Sequence, residues 1–156
     1  MEYPPTVILR HRKENLKKCS LRGLEERSDM QFFQYPKQDL PPLPGYIILD
    51  LDAPPLSQED GDRGLFLLDG TWRYAERMAK VVPAEGMLSR SIPGEVRTAY
   101  PRKQEDCQDP ERGLASVEAL YVAYLMLGRP VEGLLDRYHW KEEFLELNKQ
   151  VLAPYE

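Results

Sequence analysis

The sequence is poor in cysteine and in histidine. Its 156 residues include two of each, and Cys19 and Cys107 stand far apart in unlike surroundings. Two isolated cysteines give neither a disulfide framework nor the CxxC spacing of a zinc site. His11 and His139 have no neighbouring residue at metal-ligand spacing. The sequence therefore predicts reduced thiols and no metal site.

Long apolar runs are absent as well. No run approaches the roughly 20 apolar residues that a membrane-spanning helix needs. The first residues lack the basic start, apolar middle and small-residue cleavage site of a secretory signal. The composition, 42% hydrophobic and 30% charged, is that of a globular domain, and the chain is long enough to fold without disulfides or a bound metal. We therefore expect a cytoplasmic protein with no membrane partner.

A net positive charge is also lacking. The formal net charge of −5 argues against a protein that binds nucleic acid through its overall charge. Residues 10–22 nevertheless hold six Lys or Arg residues against one acid, Glu14, and the acids gather in residues 57–62 and 104–111. This separation fits an anionic ligand on one face, but it fits solvated charge runs equally well.

The apolar segments predict an α/β fold. Residues 7–9, 46–51 and 64–68 are continuous apolar runs, which are typical of parallel strands covered on both faces. Residues 95–100 form a weaker candidate strand. Helices are predicted over residues 15–27, 71–82, 114–128, 131–138 and 140–152, with one helical turn at 57–60 and an extended proline-rich segment at 35–45. Two regions follow: an α/β lobe over residues 1–101 and, after an acidic loop, a helical lobe over residues 112–156.

The junction LLDGTWRYAERM, residues 67–78, joins a buried strand to a helix. Asp69 is predicted at the carboxyl end of the strand, where open α/β sheets bind their ligands. Thr71 is a suitable N-cap for the helix. Turn and cap chemistry explains these residues without a site, with Trp72 as a core anchor, so both interpretations stand at this point.

Four stretches resemble known enzymes in the same order along the chain. LLDGTWRYAERM resembles the signature of the DTW-domain family. The other three resemble the aminocarboxypropyltransferases that modify small-subunit ribosomal RNA; they are NLKKCSLRGL (residues 15–24), GLASVEAL (113–120) and WKEEFLELN (140–148). The chain departs from that family at Asp69-Gly70-Thr71-Trp72, where Asp-Cys-Ser-Trp is usual, and at RTAYPRK (97–103).

The resemblance implies a SPOUT-like fold with a knotted, mostly parallel sheet that binds S-adenosylmethionine. It implies that a uridine-type nitrogen attacks the carbon carrying the 3-amino-3-carboxypropyl arm, with methylthioadenosine as by-product. Trp72 and Ala75 then form an apolar wall that hides the methyl carbon, since choosing among three activated carbons is a matter of orientation. The indole also suits a sulfonium by cation–π attraction. Asp69 either orients the amino group of the arm or helps the imide to lose its proton.

The resemblance also assigns residues to the two ligands. The catalytic residues are Asp69 and Trp72. The cofactor contacts are Ser20, Leu68, Trp72, Ala75, Glu95, Val96, Leu114, Ala115 and Ser116. The RNA contacts are Arg10, Lys17, Lys18, Arg22, Arg73 and Arg97. For Glu118, a site role and a carboxylate favoured by the helix dipole are equally open.

The predicted function is therefore transfer of the aminocarboxypropyl group to structured RNA. The three ribosomal matches favour rRNA, and the DTW-type motif favours tRNA. A methyltransferase that uses the same cofactor and a non-catalytic RNA-binding or ribosome-associated module are the alternatives. The resemblance is compatible with a monomer.

Overall fold

The fold is a parallel sheet with helices on both faces. The computed structural model describes residues 3–11, 21–50, 52–69, 72–100 and 114–156, and it describes residues 72–75 by their backbone alone. The strands are β1 (Thr6–His11), β2 (Met30–Tyr35), β3 (Ile47–Leu49), β4 (Leu65–Asp69) and β5 (Leu88–Arg90). The helices are α1 (Trp72–Ala79), α2 (Ser116–Leu127), α3 (Lys141–Leu147) and α4 (Lys149–Leu152). Short 3-10 turns span Leu24–Glu26, Gln58–Asp60 and Ala153–Tyr155.

The sheet has the order β2-β1-β4-β3-β5, and its described pairs are all parallel. β1 and β4 lie inside the sheet, and successive side chains point to opposite faces. Ile8 packs in the core that contains α2, whereas Val7 and Leu9 pack with Met78 of α1. Burial on both faces requires continuous apolar runs in these strands. The parallel sheet predicted from those runs is confirmed.

The sequence pattern did not predict the two edge strands, and it predicted one strand that does not form. β2 and β5 lie at the two edges of the sheet, where partly exposed residues interrupt the apolar pattern. Residues 95–100 form no strand. The backbone of Arg97 and of Ala99 bonds to side chains of the helical region, described below, and not to a neighbouring strand.

Glycine and asparagine account for the helix corrections. A helix through residue 27 is excluded by Gly23, whose φ of 91° is left-handed. Residues 131–138 form turns instead of a helix, since Gly133 has a φ of 85°. The single helix predicted over 140–152 is two short helices separated at Asn148. Helical spacing there predicts an apolar face formed by Trp140, Phe144, Leu147 and Val151, and this face is incomplete, because Leu147 is 55% exposed.

The remaining helix predictions differ in how well their ends hold, and α1 ends at Ala79 instead of at residue 82. α2 stops at Gly128, which has a φ of 74° and caps the helix as expected. The turn at 57–60 is a 3-10 helix with Ser57 as its N-cap. Helical spacing predicts one apolar face formed by Trp72, Ala75, Ala79 and Val82. In the structure α1 directs Met78 into the core and leaves Ala79 exposed. Thr71, its predicted cap, lies outside the described residues. In the part of the chain described, no helix is long and apolar enough to cross a membrane.

The C-terminal helices pack directly on the sheet. One core cluster joins Ile8 and Leu65 of the sheet to Leu120 of α2, Phe144 of α3 and Leu152 of α4. The predicted helical lobe therefore shares its core with the α/β lobe. The division of the chain into lobes over residues 1–101 and 112–156 stays a prediction.

Candidate active site

The connections of the sheet diverge between β1 and β4. The chain leaves β1 toward β2 on one side and leaves β4 through α1 toward β5 on the other. In open parallel sheets a crevice forms at such a switch point, beyond the carboxyl ends of the strands, and ligands bind there. Arg10 and Asp69 are register partners at these two strand ends. They therefore mark the expected position of a site.

Asp69 connects β1, β4 and α2. Arg10 Nε donates to its Oδ2 at 3.0 Å, and the Ser116 hydroxyl donates to its Oδ1 at 3.0 Å. The carboxylate is only 3% exposed. Both of its oxygens thus accept hydrogen bonds from the protein, and the bonds fix the first turn of α2 beside the end of β4.

Arg10 is an internal residue of this edge. It is 9% exposed, its Nη2 lies 3.5 Å from Glu25 Oε1, and its guanidinium carbon lies 4.6 Å from the centroid of the Phe32 ring. Arginine suits this position because its planar group bonds carboxylates at its edge and stacks on a ring with its face. The burial of Arg10 favours an internal role over the direct RNA contact that the sequence predicted.

Glu118 holds the loop of residues 93–100 against α2. Its side chain is fully buried, and its carboxylate accepts four hydrogen bonds. The donors are Thr98 Oγ1 at 2.6 Å, Ala99 N at 2.9 Å, Ala115 N at 2.8 Å and the Tyr138 hydroxyl at 2.8 Å. A buried carboxylate is tolerated when donors surround it in this way. One side chain therefore joins this loop, the start of α2 and the segment that precedes α3.

Asn148 holds the same loop from the other end. Its Oδ1 accepts from Arg97 N at 2.7 Å, and its Nδ2 donates to Arg97 O at 2.8 Å and to Phe144 O at 2.9 Å. The amide satisfies both backbone groups of residue 97, as a neighbouring strand would have done. Asn148 is 1% exposed and separates α3 from α4. The same residue therefore lies at the break between the two helices and holds the loop of residues 93–100 in place.

The predicted cofactor residues that the structure describes lie in three segments at this edge. Ser116 bonds to Asp69, which follows Leu68, and Ala115 shares the Glu118 carboxylate with the loop of residues 93–100. Within these segments Val96 and Ala115 are buried, Leu68, Leu114 and Ser116 are half-buried, and Glu95 is exposed. Ser20 lies outside the described residues, as do the side chains of Trp72 and Ala75.

The predicted RNA contacts have different environments. Arg22 is exposed, and Arg97 is half-buried with its Nη1 donating to Gly94 O at 2.8 Å. Arg137, which the sequence did not single out, is exposed and packs so closely over Gly23 that a β-carbon there would collide with it. Arg137 therefore lies against the residue that follows Arg22 in the sequence. Lys17, Lys18 and the Arg73 side chain lie outside the described residues.

Sequence reasoning missed Asn148, although the sequence carries a signal for it. Asn148 falls four residues after Phe144 and so continues the apolar face of the predicted helix. A polar residue on an apolar face has to find hydrogen-bond partners when it is buried. Glu118 is likewise a polar residue among apolar ones, since it lies in a helix of which nine residues are buried.

A second polar cluster lies at the opposite, amino edge of the sheet. Arg129 is 5% exposed, and its guanidinium carbon lies 4.0 Å from the centroid of the Tyr3 ring and 5.6 Å from that of Tyr124. Its Nη2 donates to the carbonyls of Gly61 and Arg63, whereas Nε and Nη1 have no hydrogen-bond partner in the described part of the chain. Burial lowers the pKa of Arg129.

Asp29 organises the rest of this cluster. Its carboxylate accepts from Arg27 Nε at 2.9 Å, from the Tyr3 hydroxyl at 3.1 Å and from the Tyr124 hydroxyl at 3.2 Å. The hydrogen bond from Arg27 lowers the pKa of Asp29, and burial raises the pKa of Tyr124. Two cavities of about 380 and 400 Å³ border the cluster and share Tyr3 and Pro130. They lie away from the carboxyl edge, where the predicted site residues gather.

Comparisons with known proteins show which proteins this chain is similar to. No protein-family model matches the chain. The chain is 28% identical over 156 residues to a 16S rRNA aminocarboxypropyltransferase of Methanopyrus kandleri, an alignment that covers 96% of this chain and 87% of that protein. The structure of the present chain resembles that of the SAM-dependent rRNA:acp-transferase Tsr3 from Vulcanisaeta distributa, with a TM-score of 0.72 and 24% sequence identity. The match covers 97% of this chain and 82% of that one. The chain therefore has the fold of that transferase over nearly its whole length.

Proposed function

We propose that this protein transfers a 3-amino-3-carboxypropyl group from S-adenosylmethionine to a uridine-type base of ribosomal RNA. The observation that carries the proposal is the junction at the carboxyl edge. There Asp69, the start of α2 and the loop of residues 93–100 meet at the switch point of the sheet. The names of the two similar proteins support the same chemistry.

The residues of this edge suit the cofactor. Adenosine sites combine apolar walls with a few fixed polar groups. Leu68 and Leu114 are half-buried and offer apolar surface, and the backbone around Val96 is fixed by the Asn148 and Glu118 side chains. When bound, S-adenosylmethionine would supply a carbon activated by its sulfonium. The protein then has to orient one carbon and to exclude the others.

Asp69 contributes to this orientation through its position. A general base has to reach the proton that it removes, but both oxygens of Asp69 accept hydrogen bonds from Arg10 and Ser116. Of the two roles expected from the sequence, these contacts favour orientation over proton removal. The wall of Trp72 and Ala75 stays a prediction, and it belongs to the helix that follows Asp69 directly.

The finer features of the resemblance are part of the proposal. We propose a SPOUT-like knotted core, rRNA in preference to tRNA as the substrate, action as a monomer and a cytoplasmic location. Arg22 and Arg137 are both exposed, and Arg137 packs over Gly23, the residue after Arg22, which supports an RNA-binding face in this region.

The first test is a binding measurement. Isothermal titration of the wild-type protein should detect S-adenosylmethionine, and Trp72→Ala should weaken binding about 10- to 100-fold, since burying a large apolar side chain contributes about 1.5–3 kcal/mol. Arg77→Ala, an exposed residue of the same helix, is the matched control and should bind like the wild type. Unchanged binding by Trp72→Ala would remove that residue from the site.

The second test identifies the group that is transferred and the RNA that receives it. Gene deletion should remove aminocarboxypropyl-uridine from small-subunit rRNA and leave tRNA unchanged, as measured by mass spectrometry of each RNA. Reaction in vitro should release methylthioadenosine. Release of S-adenosylhomocysteine would indicate methyl transfer instead, and tight RNA binding with no turnover would indicate a non-catalytic module.

A further inference from the structure

We infer that Arg10 is a positioning residue of the cofactor site, which acts through Asp69 on the start of α2. The inference rests on the proposed cofactor role of the carboxyl edge, and it gives Arg10 a function different from contact with RNA. It is drawn from hydrogen bonds, burial and sheet register in the described residues.

The first step concerns the register of the sheet. Arg10 and Asp69 are far apart in sequence but are direct partners in the parallel pair of β1 and β4. Both side chains are at least nine-tenths buried, and the Nε to Oδ2 distance is 3.0 Å. The strand pairing thus brings a cation to the carboxylate of Asp69 at the switch point.

The second step concerns the geometry that Arg10 imposes. Its guanidinium is itself held between Glu25 Oε1, at 3.5 Å, and the Phe32 ring, at 4.6 Å. The guanidinium donates to Oδ2 of Asp69, and the other carboxylate oxygen, Oδ1, accepts from the Ser116 hydroxyl at 3.0 Å. Two hydrogen bonds therefore connect Arg10, through Asp69, to Ser116, the first residue of α2.

The third step connects this chain of bonds to the cofactor. Leu114 to Ser116 and Leu68 are residues that the sequence resemblance assigns to the cofactor, and Asp69 lies between the two groups. If Asp69 moves, the distance between the end of β4 and the start of α2 changes. Arg10 therefore sets the width of the proposed cofactor crevice without touching the cofactor.

The experiment compares substitutions at three arginines. Cofactor affinity is measured by isothermal titration with S-adenosylmethionine, and RNA affinity is measured with a small-subunit rRNA fragment at several salt concentrations. The variants are Arg10→Met, Arg10→Lys, Arg22→Met and Arg77→Met, each checked for a folded far-ultraviolet spectrum. Arg77 is exposed on α1 and serves as the matched control.

Arg10→Met should weaken cofactor binding about tenfold or more while the salt dependence of RNA binding stays that of the wild type. Arg10→Lys should recover part of the affinity, because it keeps the charge but not the fixed fork. In a double-mutant cycle Arg10→Met and Ser116→Ala should be non-additive, since both act through Asp69. Arg22→Met should reduce RNA affinity and its salt dependence.

Three results would overturn the inference. They are unchanged cofactor affinity in Arg10→Met, a loss confined to RNA binding, and additive effects in the cycle. A separate readout applies if the wild type binds no S-adenosylmethionine, which would contradict the proposed function. Amide exchange of the peptide 114–120 should still be faster in Arg10→Met than in Arg77→Met, and equal exchange would refute the positioning role by itself.

Discussion

Arg10 and Arg129 are two buried arginines at opposite edges of one sheet, and their surroundings differ. Arg10 is paired with carboxylates, and its bonds lead on to loops and to a helix that belong to other parts of the chain. Arg129 lies against two aromatic rings at the end of α2, and within the described residues its hydrogen bonds go to backbone carbonyls alone. Both edges contain buried charge, but only the carboxyl edge combines it with the switch point of the sheet.

The difference shows that a buried charge or a cavity does not by itself mark a site. The amino edge has two cavities and a buried cation, yet its hydrogen bonds connect strand starts and the C-terminal end of α2, where open sheets do not bind ligands. At the carboxyl edge, Glu118 and Asn148 fix a loop whose residues the sequence assigns to a cofactor. We therefore expect changes at the carboxyl edge to alter binding and changes at the amino edge to alter stability alone.

The largest effect is expected for Glu118→Gln. The amide keeps one acceptor oxygen for four donors and places an NH₂ group against the others. Because a hydrogen bond to a charged group contributes about 1.5–3 kcal/mol, the free energy of unfolding should fall by about 3 kcal/mol or more. Urea denaturation measures this loss, and titration should show weaker cofactor binding.

Glu143→Gln is the matched control, because Glu143 is exposed in the first turn of α3. Its stability should stay within about 0.5 kcal/mol of the wild type. If Glu118→Gln loses stability but binds the cofactor as the wild type does, the loop of residues 93–100 is not part of the site, and the contrast between the two edges fails.

A smaller effect is expected for Asp29→Asn at the amino edge. The hydrogen bond from Arg27 holds the pKa of Asp29 below the ordinary value of an aspartate. The unfolded chain therefore binds more protons below about pH 4, so this contribution to stability is present above the unfolded pKa and is lost as pH falls through the folded pKa. At pH 7, Asp29→Asn should cost roughly 1–3 kcal/mol and should leave cofactor affinity unchanged.

The pH dependence separates this mechanism from a simple loss of packing. Urea denaturation between about pH 7 and pH 3 should show a smaller acid loss of stability in Asp29→Asn than in the wild type. Asp62→Asn, at an exposed carboxylate, should lose stability in parallel with the wild type. Parallel curves for Asp29→Asn and the wild type would contradict the assignment.

The sequence predicted the elements whose patterns are local. β1, β3, β4 and α2 are continuous apolar segments, and their burial on both faces or all round produces that pattern. The edge strands β2 and β5 are only partly buried and carry no such pattern. Residues 95–100 carry a weak strand pattern in the sequence, but the backbone of Arg97 and of Ala99 bonds to the side chains of Asn148 and Glu118 and not to a strand.

The site was predictable to a similar extent. Asp69 was identified because a strand end and a turn are visible in the sequence. The role of Arg10 was not visible, because it depends on β4 lying beside β1, which is a non-local choice of strand order. From the sequence alone Arg10 was one of six cations in a basic segment, and only the register separates it from Arg22.

The smallest effect is expected for Arg129→Met, which tests the contrast between the two arginines most directly. Removal of Arg129 loses two hydrogen bonds to carbonyls and a stacked cation, and it also removes a buried charge whose lowered pKa reflects its desolvation. These terms oppose one another, so stability should change by about 1 kcal/mol or less. Arg10→Met leaves Asp69 buried without its cation and should cost about 3 kcal/mol or more. Urea denaturation of both variants beside Arg77→Met gives the comparison, and equal losses at Arg10 and Arg129 would mean that the carboxyl-edge pair has no special role in holding the fold.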